Sequence, residues 1–335
     1  MTNTENRGTT NAAVFIPHLG CPHKCSFCDQ NKITKIEKSV SAGDTAIILE
    51  KHAASLKNRG LTAQIAFFGG TFTALDRNYR EELLITANEY LCKYPTVFTG
   101  IRCSTRPDCI DKPVLKQLKN YGVNAVELGA QSMDEGVLNL NNRGHNADDV
   151  RKSSELIKSF GFELGLQMMT GLYGDTIEKS LYTVDEIIKL KPDTVRIYPT
   201  VILKGTRLGD LFESGEYRTF SSDETIELCA EIYGRFTENN IKVIRLGLNC
   251  ADGDKIIGGN YSLQLGELCI GRYYFKKMLF FMKNSEHKKF CIYTDKKNIS
   301  KINGHKSENK LKLEQLGFSY KIKEKQGEDI LIEVV

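Results

Sequence analysis

Ala13-Val14-Phe15-Ile16-Pro17-His18-Leu19-Gly20-Cys21-Pro22-His23-Lys24-Cys25-Ser26-Phe27-Cys28 joins a short apolar run to three cysteines within eight residues. Close thiol spacing in a long chain points to metal binding more than to a disulfide framework. Three thiolates can hold three irons of a 4Fe-4S cluster and leave the fourth iron open, whereas a structural zinc site asks for a fourth Cys or His. A zinc knuckle completed by His18 or His23, and a chance gathering of thiols, are the competing readings.

Outward from this stretch, short apolar β-branched runs alternate with longer amphipathic ones. Strands are expected at Ala13 to Ile16, Gln64 to Phe68, Val97 to Ser104, Ala125 to Leu128, Glu163 to Met169 and Thr194 to Pro199. Each is too uniformly apolar for a half-exposed strand and reads as buried and parallel. Helices are expected at Gly43 to Asn58, Asn78 to Lys93, Lys112 to Tyr121, Asp148 to Phe160, Ile177 to Leu190 and Asp223 to Asn239, several opened by Asp or Ser and closed by Gly. Six strand-helix units in succession imply an α/β fold with a parallel sheet and right-handed crossovers, a partial (β/α)6 barrel. A seventh strand is expected at Lys242 to Leu248, followed by a glycine-rich loop, Gly253 to Gly259, over one mouth of the sheet.

The 335 residues, 41% hydrophobic and 26% charged with seven Pro, exclude collagen, coiled coil and long disorder. They suffice for one barrel of ~250 residues and a compact appendage. The pattern changes after Tyr274: an apolar helix or strand to Met282, a strand at Lys289 to Thr294, a polar helical stretch to Leu316, then paired strands Ser319 to Glu324 and Ile330 to Val334. Residues 1–275 are therefore expected to form the barrel and 276–335 a small α/β domain. Net charge is +4, and from Lys276 onward 14 Lys face eight acidic residues with no Arg, so the basic excess belongs to that second domain. No apolar run approaches the ~20 residues that span a bilayer. The polar start, Met1 to Asn11, has no secretory pattern, so the expected location is cytoplasmic with no membrane partner.

Cys-x3-Cys-x2-Cys with an aromatic, Phe27, before the last Cys resembles the radical S-adenosylmethionine (SAM) superfamily. Further segments carry the likeness: Gly69-Gly70-Thr71 after the second strand, Ser104-Thr105-Arg106-Pro107-Asp108, Gln131-Ser132, Arg143-Gly144-His145, and Val195 to Thr200 leading to Gly205-Thr206. Over Ala13 to Gly209 they are similar to the Elongator catalytic subunit and to coproporphyrinogen oxidase. The resemblance implies a 4Fe-4S cluster on Cys21, Cys25 and Cys28. It also implies SAM contacts from Phe27, Gly69, Gly70, Thr71, Ser104, Gln131, Arg143 and Gln167, with the glycine pair at the methionine end, Gln131 at the ribose and Arg143 at the carboxylate. Gln167 stands where many relatives have Asp or His holding the ribose, and Tyr173 replaces the usual Pro. No acyl-CoA pyrophosphate loop is legible, so acetyl-CoA-dependent carboxymethylation is not implied.

By this likeness the chain is expected to cleave SAM reductively to a 5′-deoxyadenosyl radical, fed by an electron donor such as flavodoxin or ferredoxin, and to modify tRNA or another RNA. A small metabolite or tetrapyrrole substrate, and an Fe-S redox sensor without turnover, are the alternatives. Ile299 to Asn309 resembles a KH RNA-binding module, with Gly304-His305-Lys306-Ser307 as a degenerate Gly-x-x-Gly loop and Lys301, Lys306, Lys310 and Lys312 as phosphate contacts. The other seven cysteines are expected to pack as small hydrophobes. Tyr261 and Glu267 remain candidates to face substrate.

Overall fold

A computed structural model describes residues 10–16, 19–22, 24–29, 39–248 and 255–335. Strands β1 (Thr10–Ile16), β2 (Ala63–Gly69), β3 (Phe98–Thr105), β4 (Val123–Gln131), β5 (Glu163–Thr170) and β6 (Thr194–Pro199) are followed by a short β7 (Val201–Leu203) and by β8 (Lys242–Leu246). All but β7 form one seven-stranded sheet in the order β1-β2-β3-β4-β5-β6-β8. Every pairing within it is parallel. The order follows the chain and β8 does not return to β1, so the sheet curls into an open barrel, as the six repeated units implied.

The crossovers are α1 (Ala42–Arg59), α2 (Arg77–Lys93), α3 (Lys112–Asn120), α4 (Glu135–Leu140), α5 (Ala147–Ser159), α6 (Ile177–Leu190), α7 (Arg207–Glu213) and α8 (Ser222–Glu238). Local chemistry sets their starts. Ser41, Asp76, Asp111, Asn146, Thr176 and Ser221 each accept a first-turn backbone N–H, and three of them complete reciprocal capping boxes. Ile101, Val126, Leu128, Leu164, Leu166, Val195 and Ile197 point outward into one core shared with Leu115, Val150, Ile157, Val184 and Ile187 of the helices. The alternate residues of the same strands line the inner face, and there Arg102, Ser104, Glu127, Gln167 and Arg196 make it polar.

β4 is longer than the expected Ala125 to Leu128, because its inner positions are polar and break the apolar run. The expected loop at Gly253 to Gly259 is corrected. Residues 253–254 lie outside the described residues, while β9 (Ile256–Gly259) pairs antiparallel with β7. The glycines that suggested a loop are required by packing. A Cβ on Gly258 would meet the Phe212 ring at 2.8 Å, and one on Gly259 would meet the Thr200 carbonyl at 2.3 Å.

α9 (Leu265–Lys283) runs unbroken across position 275. Its first turns place Leu265 and Cys269 in the barrel core; its later turns place Met278 and Met282 in a second core with Phe290, Ile292, Ile302, Leu313 and Phe318. Beyond it, β10 (Lys289–Thr294), α10 (Ile299–Asn303), α11 (Glu308–Gln315), β11 (Ser319–Glu324) and β12 (Leu331–Val334) complete a small α/β unit. The last two strands do not pair with each other as expected. β10 lies between them, parallel to β11 and antiparallel to β12. The reason is burial: Phe290 and Ile292 make β10 the strand suited to the centre, and lysine-bearing β11 suits an edge.

Candidate active site

The site is built at the C-terminal ends of the strands, where parallel barrels present their loops. One cavity there is lined by all eleven expected site residues: Cys21, Cys25, Phe27, Cys28, Gly69, Gly70, Thr71, Ser104, Gln131, Arg143 and Gln167. Lys24, Thr105, Arg106 and Gly129 complete the wall.

The cysteine loop is held from below by side chains that the sequence did not single out. Ser26 donates its hydroxyl to Asn141 Oδ1 at 2.7 Å and its backbone N–H to the Asn141 carbonyl at 3.1 Å. Leu208 N donates to the Ser26 carbonyl at 2.8 Å, and Asn141 is fully buried. Phe27 packs beside Ile202, Leu208 and Tyr217, with the Arg143 guanidinium 5.8 Å from its ring centre.

The glycine pair lines the cavity and also answers a packing demand. The Gly70 N–H is not free for a ligand; it donates to the Ile16 carbonyl at 2.6 Å, and Thr71 N donates to Leu19 O at 2.9 Å. A Cβ on Gly70 would stand 2.1 Å from that Leu19 oxygen, and Gly69 has φ +108°. The pair is glycine so that the chain leading into the cysteines can lie directly on β2. Thr71, itself buried, carries the contact to the site, its Oγ1 standing 3.3 Å from Cys21 Sγ.

Arg143 reaches the thiols. Nη1 donates to Cys25 Sγ at 2.9 Å and Nη2 to the Gly129 carbonyl at 2.6 Å, while Arg106 donates to the Arg143 carbonyl and pairs with Asp108 at 2.9 Å. His145 sits behind, Nε2 3.2 Å from the Ala130 carbonyl. Burial first, then the charges of Arg143 and Arg106, push its pKa down to about 3, so it is a neutral imidazole. Burial, with the charges of Cys25 and Cys21, pushes Cys28 up to about 12. Such a thiol ionises when a cation binds it.

Two observations test whether the cavity suits a cluster and SAM. Among the described residues no three Cys, His, Asp or Glu side chains converge on a single-ion site. In a cubane each thiolate binds its own iron, so three thiols lining one cavity suit it and leave one iron open. His18 and His23, the zinc alternatives, lie outside the described residues. Second, two residues that line the cavity carry unsatisfied polar atoms: Gln131 Oε1 and Arg143 Nε are buried without a partner among the described residues. Gln131 also has φ +64°, at an irregularity in the β4–β5 register, a conformation a non-glycine residue keeps only where the surroundings enforce it. Orphaned groups on the residues of a cavity wall fit a polar ligand that the wall closes on.

Other expectations fall elsewhere. Glu267 faces His305 Nδ1 at 3.2 Å in the C-terminal unit and not the cavity. Gly304 is buried, and a Cβ there would meet the Asn309 side chain at 2.8 Å, so the loop at 304–307 packs tightly against its own helix. Cys103, Cys229, Cys269 and Cys291 are buried as expected, but Cys92 is exposed and Cys109 half-buried; Cys250 lies outside the described residues. Sequence reasoning missed Glu127 and Arg102, and gave no role to Arg196 within the Val195 to Thr200 segment. Glu127 accepts from Arg196 at 2.7 and 3.0 Å, from Arg102 at 3.1 Å and from Gln167 at 2.9 Å. Only cross-strand register reveals that group, so no local signal announced it.

Comparison with known proteins agrees with this geometry. The model of the Radical SAM superfamily matches residues 15–187, and that of the Radical_SAM C-terminal domain matches residues 192–273. An uncharacterized protein of Methanocaldococcus jannaschii is 29% identical over 223 residues, 64% of this chain and 68% of that protein. Elongator complex protein 3 of Bos taurus is 34% identical over 182 residues, 49% of this chain and 33% of that protein. The tRNA uridine(34) acetyltransferase of Methanocaldococcus infernus is 28% identical over 260 residues, 67% of this chain and 49% of that one. This chain thus spans a third to a half of the length of those two named relatives. Among solved structures, the Elp3 of Methanocaldococcus infernus superposes with a TM-score of 0.66 at 24% identity, covering 81% of this chain and 64% of that one. Strand-end cavity, thiol triad and family match converge: the chain belongs to the radical SAM superfamily, enzymes that use a 4Fe-4S cluster and SAM.

Proposed function

We propose that the chain reductively cleaves SAM and uses the resulting radical to modify a nucleoside in tRNA. The observation that carries the first half is the meeting of Cys21, Cys25 and Cys28 with Gln131, Arg143 and Gln167 in one cavity. When bound, the cluster and SAM together supply a hydrogen-abstracting radical. The chain's own residues do the rest. The three cysteines hold iron. Phe27, Gly69, Gly70, Thr71 and Ser104 wall the cofactor, Gln131 and Gln167 offer polar contacts, and Arg143, beside Cys25, faces the carboxylate end. Neutral His145 takes no proton at working pH.

The tRNA half rests on the names of the Elongator and tRNA-uridine relatives and on the basic C-terminal unit. Those relatives are matched over part of their length, so their full reactions are not transferred. An electron donor such as flavodoxin or ferredoxin would make the cytoplasm the working compartment. Among the described residues no helix is long and apolar enough to cross a membrane. The test is anaerobic turnover with dithionite and SAM, with and without total tRNA, reading 5′-deoxyadenosine and the nucleoside digest. Formation stimulated by tRNA with a new nucleoside mass is expected. Unstimulated formation would move the substrate to a small molecule, and none at all from cluster-loaded protein would end the enzymatic reading.

A further inference from the structure

We infer that Glu127 is a positioning residue that locks the Gln167 amide with its oxygen toward the cavity, so that this position reads a hydrogen-bond donor on the nucleoside part of the ligand. The inference rests on the SAM reading of the cavity and says how one contact is selected. Gln167 Nε2 lies 2.9 Å from Glu127 Oε2 and 3.2 Å from Ser104 Oγ. A carboxylate only accepts, so the amide nitrogen and not the oxygen must face it. Both Nε2 hydrogens are then engaged, by Glu127 and by Ser104. Gln167 lines the cavity and Oε1 has no protein partner among the described residues, which leaves that acceptor for the ligand.

Glu127 holds its place because the fold is built around it. It is 1% exposed, with Arg196 bidentate on one side and Arg102 on the other; Arg102 in turn meets Glu163 at 2.9 Å. Two carboxylates and two guanidiniums make the set neutral, so the buried charges are compensated. Room is made across the strand: Gly165 is the register partner of Glu127, and a Cβ there would stand 2.6 Å from Glu127 Cγ. Without the carboxylate the Gln167 amide could turn over and present a donor instead. On the nucleoside part of SAM the available donors are the two ribose hydroxyls and the adenine amine.

The test uses S-adenosylhomocysteine and three analogues, each lacking one donor: 2′-deoxy, 3′-deoxy and N6-dimethyl. Calorimetry on the cluster-loaded chain should show one analogue weaker by roughly 2- to 10-fold, the worth of one neutral hydrogen bond. That ratio should fall toward one in Glu127→Asp, which keeps the charge the arginines need but is a methylene short, and in Gln167→Met, which leaves the arginine pairs alone. Exchanging the two groups, E127Q with Q167E, should restore the ratio, because the carboxylate at 167 is acceptor-only whatever holds it. A merely structural role for Glu127 would weaken all four ligands together. That outcome, an undiminished ratio in folded Glu127→Asp, or no ratio in the unaltered chain would overturn the inference while leaving SAM binding intact. Failure of the unaltered chain to bind S-adenosylhomocysteine at all would remove the SAM reading and this inference with it.

Discussion

The inner face of the barrel and the C-terminal unit dispose of charge in opposite ways. In the barrel, Arg102, Arg106, Arg143 and Arg196 are each at most 8% exposed, and each ends on a named carboxylate, carbonyl or thiol; Arg106 and Arg143 line the cavity itself. In the C-terminal unit most lysines stay in solvent, and Lys276, Lys277, Lys297, Lys312 and Lys325 meet carboxylates; Lys301, expected to contact phosphate, is half-buried with its Nζ donating to Asn298 Oδ1 at 2.9 Å. A buried charge must be paired or it unfolds the protein, whereas a surface pair is worth about 0 to 1 kcal/mol. Position inside the barrel therefore carries information about the site, and a lysine count in the tail carries information only about solubility and polyanion attraction.

The largest effect expected on either side is all-or-none. Replacing Cys21, Cys25 or Cys28 singly by Ala should take anaerobically reconstituted protein from about four iron and four sulfide per chain to near zero, since three thiolates define the site. Iron and sulfide assays read this directly. Retained cluster in Cys25→Ala, or stoichiometric zinc in the unaltered chain, would break the barrel half of the comparison.

Next comes the buried ion set. Glu127→Ala strands the Arg196 guanidinium in the barrel interior, leaves Arg102 with Glu163 alone, and should cost about 3 to 5 kcal/mol in urea unfolding. Changing both Lys306 and Lys310 to Ala should stay within about 0.5 kcal/mol per site. Equal costs at the two places would erase the distinction drawn between them.

The contrast also explains what the sequence disclosed. The thiol run, the outward-facing apolar strand positions and the helix caps are local, and the order of the sheet follows from them. Glu127, Arg102 and Arg196 acquire meaning only through register, when Glu127 falls beside Ser104 on one strand and Gly165 on the next. The partners of Gly70 are Ile16 and Leu19, some fifty residues earlier, so the packing demand on this cavity-lining glycine was not legible locally. β9 was hidden by two glycines. The order β11-β10-β12 was hidden because adjacency in sequence suggested a hairpin.

His145 offers a smaller and pH-dependent effect. Its folded pKa, about 3, lies below the ordinary 6.5, so between those values the unfolded chain binds the extra proton. Stability from this group is therefore complete above pH 6.5 and declines as pH falls, by about 3 kcal/mol at pH 4. Replacing His145 with Gln should flatten the urea-midpoint profile between pH 6.5 and 4 by that amount. A profile of unchanged slope would mean that His145 charges freely and that its burial beside Arg143 and Arg106 does not hold in solution.

The smallest effect belongs to the C-terminal lysines, and it decides whether that unit meets RNA. Lys306 and Lys310 are exposed and flank the turn at Ser307, yet His305 in the same turn faces Glu267, and Glu308 lies beside Lys312. Phosphate contacts made there compete with those carboxylates, so each lysine should contribute no more than a single phosphate contact. For single-stranded nucleic acid each contact adds about 0.7 to the slope of log affinity against log salt, so removing both should flatten the slope by about 1.4. Across a fourfold change in salt that is roughly a 7-fold change in affinity. Filter binding of total tRNA to the intact chain and to the Lys306→Ala, Lys310→Ala double variant across a salt series measures it. Because both lysines lie far in sequence from the cavity, SAM affinity serves as the internal control and should not move. Identical slopes for the two chains would detach RNA from this turn and favour a small-molecule substrate for the barrel.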